Sequence, residues 1–345
     1  MNISQLDYFL LFGSSFFVST LITPLIRRVA LAYGVLDKPN SSHKSHSKPV
    51  PYLGGLAIMI SVLLVAYTSV FRTEFIPNNL WLASSILVPA SMLGIVGLID
   101  DIKNLKPLPK FIVQSLAGLV IAIILVLNNN LGNPTGLVFL DITITVIWIV
   151  GICNSINFFD NLDGATAGTV AITSFFLAYL AYSGAQYLVA ALSLVISGSV
   201  LGFLIWNRNP ARIYMGDAGA LFLGVVVATL TIRFKPSTDQ SIGSFSIPIL
   251  LLAIPILDTT VAVFSRLKRG ISPFKGGKDH LSHRLIRLGI SKKNTAYILW
   301  LCSIFFGFIS IILTNSQTIG ETYILAFASI TWSLLLLFFI KTKHE

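Results

Sequence analysis

Apolar runs about twenty residues long alternate with short polar breaks along almost the whole chain. A membrane-spanning helix needs roughly 20 apolar residues, within a range of about 17–25. On that measure the pattern predicts eleven spans, near 5–25, 53–71, 80–99, 111–128, 141–157, 166–183, 186–206, 218–233, 245–265, 295–314 and 321–340. No internal repeat and no low-complexity tract interrupts the series. The polar breaks are uneven. Some are bare turns, and others are dense in Asp, Asn, Lys, Arg and His.

Composition supports the membrane reading. The chain is 54% hydrophobic and 11% charged, with a mean hydropathy of +0.82, whereas a soluble domain carries about 25% charged residues. Too few polar side chains exist to cover a soluble surface. The expectation is an all-α polytopic protein of the plasma membrane, one integral-membrane domain over residues 1–345. The opening segment MNISQLDYFLLFGSSFFVSTLITPLIRR lacks the basic leading region and small-residue cleavage site of a secretory signal. It is expected to be retained as the first span, with the N-terminus outside. Cys153 and Cys302 both lie inside apolar runs and give neither a disulfide framework nor metal-ligand spacing.

Charge then orients the chain. Cytoplasmic loops carry the excess of Lys and Arg. With eleven spans and the N-terminus outside, only Arg72, Arg233 and Lys235 of the 24 basic residues fall on the outer side. The C-terminus is then cytoplasmic. A missing or extra span would scramble this asymmetry. The net charge of +10 is therefore a basic cytoplasmic face, explained by topology and anionic lipid, and it implies no nucleic-acid partner. Topology does not explain why Asp100, Asp101, Asp160, Asp163, Asp217 and Asp279 gather on the same face.

The cytoplasmic breaks, 26–52, 100–110, 158–165, 207–217 and 266–294, hold the candidate chemistry. In GLIDDIKNLKPLPK, Asp100 and Asp101 close the third run, and Lys103, Lys106 and Lys110 follow. Adjacent carboxylates repel unless a cation or a task holds them together. Magnesium takes one or two carboxylates plus substrate phosphates; a solvated helix end is the other reading. In NSINFFDNLDG, Asn154, Asn157 and Asn161 share a helical face, with Asp160 and Asp163 continuing it. Such a stripe must face the bundle interior or a water-filled cleft. In NRNPARIYMGDAGALFLG, Asp217 stands where a helix begins, either as its cap or as a metal ligand beside a phosphate. The loop SRLKRGISPFKGGKDHLSHRLIRLG carries His280, His283 and Arg284, and two His at this spacing suit phosphate contact or proton transfer better than zinc. DKPNSSHKSHSKPVPYLGG adds Lys44 and Lys48 in a basic loop.

In this order and on these loops, GLIDDIKN, NSINFFDNLDGATAG, YMGDAGALFLG, PILDTT and DHLSHRL resemble the polyprenyl-phosphate N-acetylhexosamine-1-phosphate transferases. The resemblance covers about residues 20–290. It implies magnesium-dependent transfer of a sugar-1-phosphate, with manganese as a substitute metal. The donor would be a UDP-N-acetylhexosamine and the acceptor a polyprenyl phosphate such as undecaprenyl phosphate. UMP would leave, and the lipid product would start a cell-envelope glycan. Asp100 and Asp101 would be the catalytic pair, and Lys110 would contact the diphosphate. Asn157 and Asp217 would ligate the metal, Asp163 would contact uridine, and Tyr214 would stack on uracil. His280 and His283 would line the sugar-phosphate side. Lys44, Lys48, Asn154, Asp160, Asn161 and Arg284 complete the substrate-binding candidates, and a homodimer is a further expected assembly.

Within that family the motifs look more like those of enzymes loading N-acetylglucosamine-1-phosphate than of phospho-MurNAc-pentapeptide transferases. Two positions depart from commoner forms: Ser282 interrupts the histidine cluster, and Asn161 replaces the first glycine of the DGLDG form. A transporter of nucleotide- or lipid-linked sugar is the alternative class. Transporters place ionisable groups near the midplane and often carry internal repeats, and neither feature is visible here.

Overall fold

A computed structural model describes residues 5–37, 49–71, 76–236, 242–273, 277–316 and 318–342. Lys44 and Lys48 lie outside the described residues. Apart from one two-residue ribbon, the described chain is helical. The helices are α1 Gln5–Ala32, α2 Gly54–Val70, α3 Ile76–Lys103, α4 Pro107–Leu127, α5 Val138–Phe159, α6 Ala165–Ser183 and α7 Tyr187–Asn207. They continue as α8 Gly216–Arg233, α9 Ile242–Leu251, α10 Ala253–Lys268, α11 Leu281–Arg287, α12 Lys292–Thr314 and α13 Thr318–Lys341.

The protein is an all-α, polytopic membrane protein. Among the described residues, nine helices are long and apolar enough to cross a membrane, and α9 with α10 makes a tenth if the bent pair is one span. The 53–71 run yields only the 17 residues of α2, shorter than the other spans. The unbroken helix expected over 245–265 is instead two helices meeting at 74°. Pro255 explains the break. It has no N–H to offer the carbonyl of Leu251, four residues earlier. That carbonyl accepts the Thr173 hydroxyl of α6 instead, at 2.8 Å, so the bend leaves no orphaned acceptor in an apolar setting.

Helix α8 is the axis of the bundle. It is buried from Ala218 to Thr231 and packs against α2, α3 and α5. Small residues permit this, because without a hydrophobic drive between spans, close backbone approach supplies the attraction. Gly97 of α3 lies so near α8 that an added Cβ would stand 2.4 Å from the Asp217 carbonyl oxygen. This contact draws the last turn of α3, which carries Asp100 and Asp101, onto the first turn of α8. The ribbon contributes at the same end. Strands β1 Leu36–Asp37 and β2 Val50–Pro51 pair antiparallel, Leu36 opposite Pro51 and Asp37 opposite Val50. The Pro51 carbonyl accepts the Tyr214 amide at 2.8 Å, and the Gly55 amide donates to the Met215 carbonyl at 2.8 Å. The segment leading into α8 is thereby stitched to the start of α2.

Candidate active site

Four helix ends meet around the first turn of α8. Gly216 has φ +71°, a left-handed conformation that disfavours a side chain, and it turns the chain so that the amides of Asp217 and Ala218 point at α3. Asp101 receives both, at 2.9 and 3.1 Å. The cap of α8 is therefore a carboxylate from another helix, in the place where the helix dipole favours negative charge. Asp217 is thus relieved of the capping role that its position in the sequence allowed, and its carboxylate faces outward to the cluster.

That cluster is built on Lys110. Its ammonium donates to Asp100 Oδ2 at 2.5 Å and to Asp217 Oδ2 at 2.9 Å. Asp217 Oδ1 accepts the Asn157 amide at 2.9 Å, and Asp100 Oδ1 accepts the Leu105 amide at 2.6 Å. The side chains of Lys110, Asp100 and Asp217 are 21%, 11% and 27% exposed, so the group is reachable from water yet largely desolvated. Three carboxylates share this end of the bundle with one lysine. Among the described residues no three His, Cys, Asp or Glu side chains form a ready-made metal cage. Oxygen donors beside an ammonium are nevertheless the set from which a phosphate-bridged hard cation is held.

The asparagine stripe at the end of α5 divides among three partners. Asn154 donates to Gln114 Oε1 of α4 at 2.8 Å, and Asn157 turns to Asp217. Asn161 donates to the Phe158 carbonyl at 2.9 Å and accepts the Ser282 hydroxyl of α11. Asp160, half-buried just past α5, has its carboxyl pushed up to about 7 by burial, with the charge of Asp217 adding to the effect. Asp163 accepts the Asn209 side chain at 2.8 Å and the Ala211 amide at 3.0 Å, which shapes the loop before α8. Tyr214 lies in that loop, edge-on to Tyr52 with ring centroids 6.0 Å apart, and burial raises its hydroxyl pKa.

Across Phe158 stands a second polar group, from α10 and the segment leading into α11. Asp258 Oδ2 is 2.7 Å from His280 Nδ1, and Asp258 Oδ1 accepts the Leu281 amide at 2.7 Å. His280 Nε2 lies 3.2 Å from Arg266 Nη2. Arg266 donates to Asp279 at 2.7 Å and stacks over Phe158 at 5.6 Å. A guanidinium can only donate, so His280 accepts at Nε2 and carries its proton on Nδ1. Both nitrogens are engaged and the ring is 6% exposed. His283 differs. Its ring sits 5.8 Å from His280, and its buried Nδ1 has no hydrogen-bond partner among the described residues. Burial pushes its pKa down to about 4, so it is neutral near pH 7.

The structure thus brings Asp100, Asp101, Lys110, Asn157 and Asp217 together, and sets His280, His283, Asn161 and Phe158 beside them. Asp163, Asn154 and Arg284 face the protein instead. Arg284 is fully buried and donates to the carbonyls of Phe339 and Thr342 at 2.6 and 2.8 Å. It also donates to the Asp279 carbonyl at 2.8 Å and the Ser265 hydroxyl at 2.5 Å. Asp258, Arg266 and Asp279 were not among the expected site residues. For Asp258 a signal existed, since an acid inside an apolar span nearly always has a buried partner.

Residues 83–235 match the family model described as glycosyl transferase family 4. The chain is 36% identical over 318 residues to a Bacillus subtilis protein named "Probable undecaprenyl-phosphate N-acetylglucosaminyl 1-phosphate transferase", covering 89% of this chain and 85% of that one. It is 31% identical over 316 residues to the decaprenyl-phosphate N-acetylglucosaminephosphotransferase of Mycolicibacterium smegmatis, covering 83% and 77%. It is 29% identical over 317 residues to the phospho-N-acetylmuramoyl-pentapeptide-transferase of Halalkalibacterium halodurans, covering 86% and 93%.

The surroundings of Arg284 generate a prediction that separates support from substrate contact. Arg284→Met removes the bonds to the carbonyls of Asp279, Phe339 and Thr342 and to the Ser265 hydroxyl, and a buried group left without a partner costs about 1–3 kcal/mol. The melting temperature in detergent should fall by several degrees. The KM for a UDP-sugar, measured on the protein that remains folded, should stay within twofold of wild type. A large rise in KM at unchanged stability would return Arg284 to the substrate.

Proposed function

The chain belongs to the polyprenyl-phosphate N-acetylhexosamine-1-phosphate transferases, and on that premise we propose that it moves N-acetylglucosamine-1-phosphate from UDP-N-acetylglucosamine to undecaprenyl phosphate. UMP leaves, and the undecaprenyl-diphospho-sugar starts a cell-envelope glycan. The observation that carries this reading is Lys110 held between Asp100 and Asp217, with Asn157 beside them, at the joined ends of α3, α4, α5 and α8. Phosphoryl transfer asks a protein mainly for positioning and charge neutralisation, and the cluster has the groups for both. In favour of N-acetylglucosamine stand the Bacillus subtilis and Mycolicibacterium smegmatis relatives, at 36% and 31% identity, against 29% for the phospho-N-acetylmuramoyl-pentapeptide-transferase.

Each residue then takes a role in keeping with its contacts. Lys110 offers its ammonium to the donor diphosphate. Both oxygens of Asp101 are occupied by α8 amides, so Asp101 fixes the helix that presents Asp217. Asp100, which bonds the Lys110 ammonium and not the α8 amides, would take a proton from the acceptor phosphate once that ammonium turns to the diphosphate. Asp217 and Asn157 would hold magnesium, or manganese in its place, because carboxylate and amide oxygens are the hard donors such a cation selects. When bound, the cation would neutralise charge on the diphosphate and on the departing UMP. Tyr214 offers its ring to uracil, and His283, neutral and half-buried, offers the exposed part of its ring to the sugar end.

The same reading places the site on the cytoplasmic face, with eleven crossings if α2 and the α9–α10 pair each count as one. The N-terminus is then outside. The support is the basic asymmetry, since the joined helix ends are flanked by Lys103, Lys106, Arg208, Arg212 and the 266–294 loop. A cysteine introduced at Ser291 should react with an impermeant maleimide only after cells are permeabilised. Efficient labelling of intact cells would reverse the orientation.

The direct test of the reaction uses purified protein, undecaprenyl phosphate and several UDP-sugars across a magnesium or manganese titration. Wild type should transfer N-acetylglucosamine-1-phosphate in preference to the others and should need the metal. Asp217→Asn should lose at least a hundredfold in rate while melting near wild type, since it removes charge but keeps the shape. Near-normal transfer by Asp217→Asn at low metal would remove Asp217 from the centre, and transfer to no polyprenyl acceptor would remove the reading.

A further inference from the structure

Asn161 and Ser282 lie on different segments, 121 residues apart, and meet directly. The Asn161 amide is used at both ends: Nδ2 donates to the Phe158 carbonyl in the last turn of α5, and Oδ1 accepts the Ser282 hydroxyl. Ser282 is 2% exposed, so its hydroxyl is out of reach of water and needs this acceptor. These are also the two positions at which the motifs depart from their commoner forms, and they are bonded to each other.

The bond matters because of what it holds. Helix α11 is short, Leu281–Arg287, and its first turn is tied on one side to α10 through Asp258, which binds His280 and the Leu281 amide. Asn161 ties the same turn on the other side to α5. Arg284, in the same turn, adds bonds to Ser265 of α10 and to the carbonyls of Phe339 and Thr342 at the end of α13. Asn161 supplies the tie toward α5, and its loss leaves that side of the turn free to roll away from α5. The next residue, His283, projects from this turn with an unpartnered Nδ1, and Asn157, four residues before Asn161, is bonded to Asp217. A roll of α11 would therefore move His283 relative to the carboxylate cluster.

We propose that Asn161 and Ser282 are a positioning pair that sets where His283 stands, and through it the fit of the donor's sugar. The inference deepens the proposed transfer reaction and rests on it. The pair touches the reacting atoms nowhere. Its effect is on the sugar end of the donor and leaves the uridine end to the Tyr214 loop.

The test compares Asn161→Ala, Ser282→Ala, the double variant and Ser282→Thr with wild type. The readouts are KM and kcat for UDP-N-acetylglucosamine and UDP-N-acetylgalactosamine, inhibition by UMP, and melting temperature. Either single alanine variant should raise the KM for UDP-N-acetylglucosamine about tenfold, with a smaller change in kcat and a narrowed preference between the two sugars. The double variant should be no worse than the singles, because one bond is lost in all three. Ser282→Thr keeps the hydroxyl and should recover most of the loss. UMP should inhibit all variants alike. Additive losses, a threonine variant as impaired as alanine, unchanged KM, or equal weakening of UMP would each overturn the pair's role. These outcomes leave the transfer reading standing, whereas a wild-type protein that transfers nothing removes that reading and the pair's role with it.

Discussion

The arrangement depends on a single ammonium group. Three carboxylates from α3 and α8 are packed into one end of an apolar bundle, where like charges repel and little water is available to screen them. Lys110 answers two of them directly, and the α8 amides answer the third. Everything else at that end serves to hold these partners in reach. Gly97 lets α3 close on α8, the ribbon and α2 hold the segment that turns into α8, and Asn157 supports the free oxygen of Asp217. The cluster is costly to assemble, and the proposed occupation by a diphosphate and a cation would be what its charges are kept for.

The last turn of α5 connects this cluster to a second one. Asn157 faces Asp217, while Phe158, the next residue, packs against both His280 and Arg266. The carboxylate group and the histidine group are thus two sides of one helix end. The first is built from α3, α4 and α8, and the second from α10 and α11. The division matches the two halves of a nucleotide-sugar, whose phosphates need charge and whose sugar needs directional hydrogen bonds. The bend between α9 and α10 belongs to the same design, because it sets the direction of the helix that carries Asp258.

Much of this was legible in the sequence, for identifiable reasons. Long apolar runs and the asymmetry of Lys and Arg are strong, additive signals, so the membrane class and the polar face could be read without contacts. The residues Asp100, Asp101, Lys110, Asn157 and Asp217 stood out because polar groups at the ends of apolar runs demand partners. Which partner each takes was not legible. Asp217 and Asp101 are both acids near a helix start in space, but only the fold shows that Asp101 caps α8 and Asp217 does not. Arg284 looked like one more cation in a basic loop, and its burial against the end of α13 depends on a contact 55 residues away. The break at Leu252 was missed because hydropathy continues across it, although Pro248 and Pro255 mark it. Asp258 was visible as an acid in an apolar span, but its partner His280 is 22 residues away in the chain.

The central claim is that the charged cluster is kept for chemistry and not for stability. Breaking a desolvated ion pair by removing one partner typically costs about 3–5 kcal/mol, whereas replacing the whole set by neutral groups is often neutral or stabilising. The most direct measurement is therefore the melting temperature, with transfer activity alongside, of Lys110→Met and of the triple variant Asp100→Asn, Lys110→Met, Asp217→Asn. Lys110→Met should melt well below wild type. The triple variant should melt at or above wild type and transfer no sugar-phosphate to undecaprenyl phosphate. A triple variant as unstable as Lys110→Met, or one that retains transfer, would contradict the account.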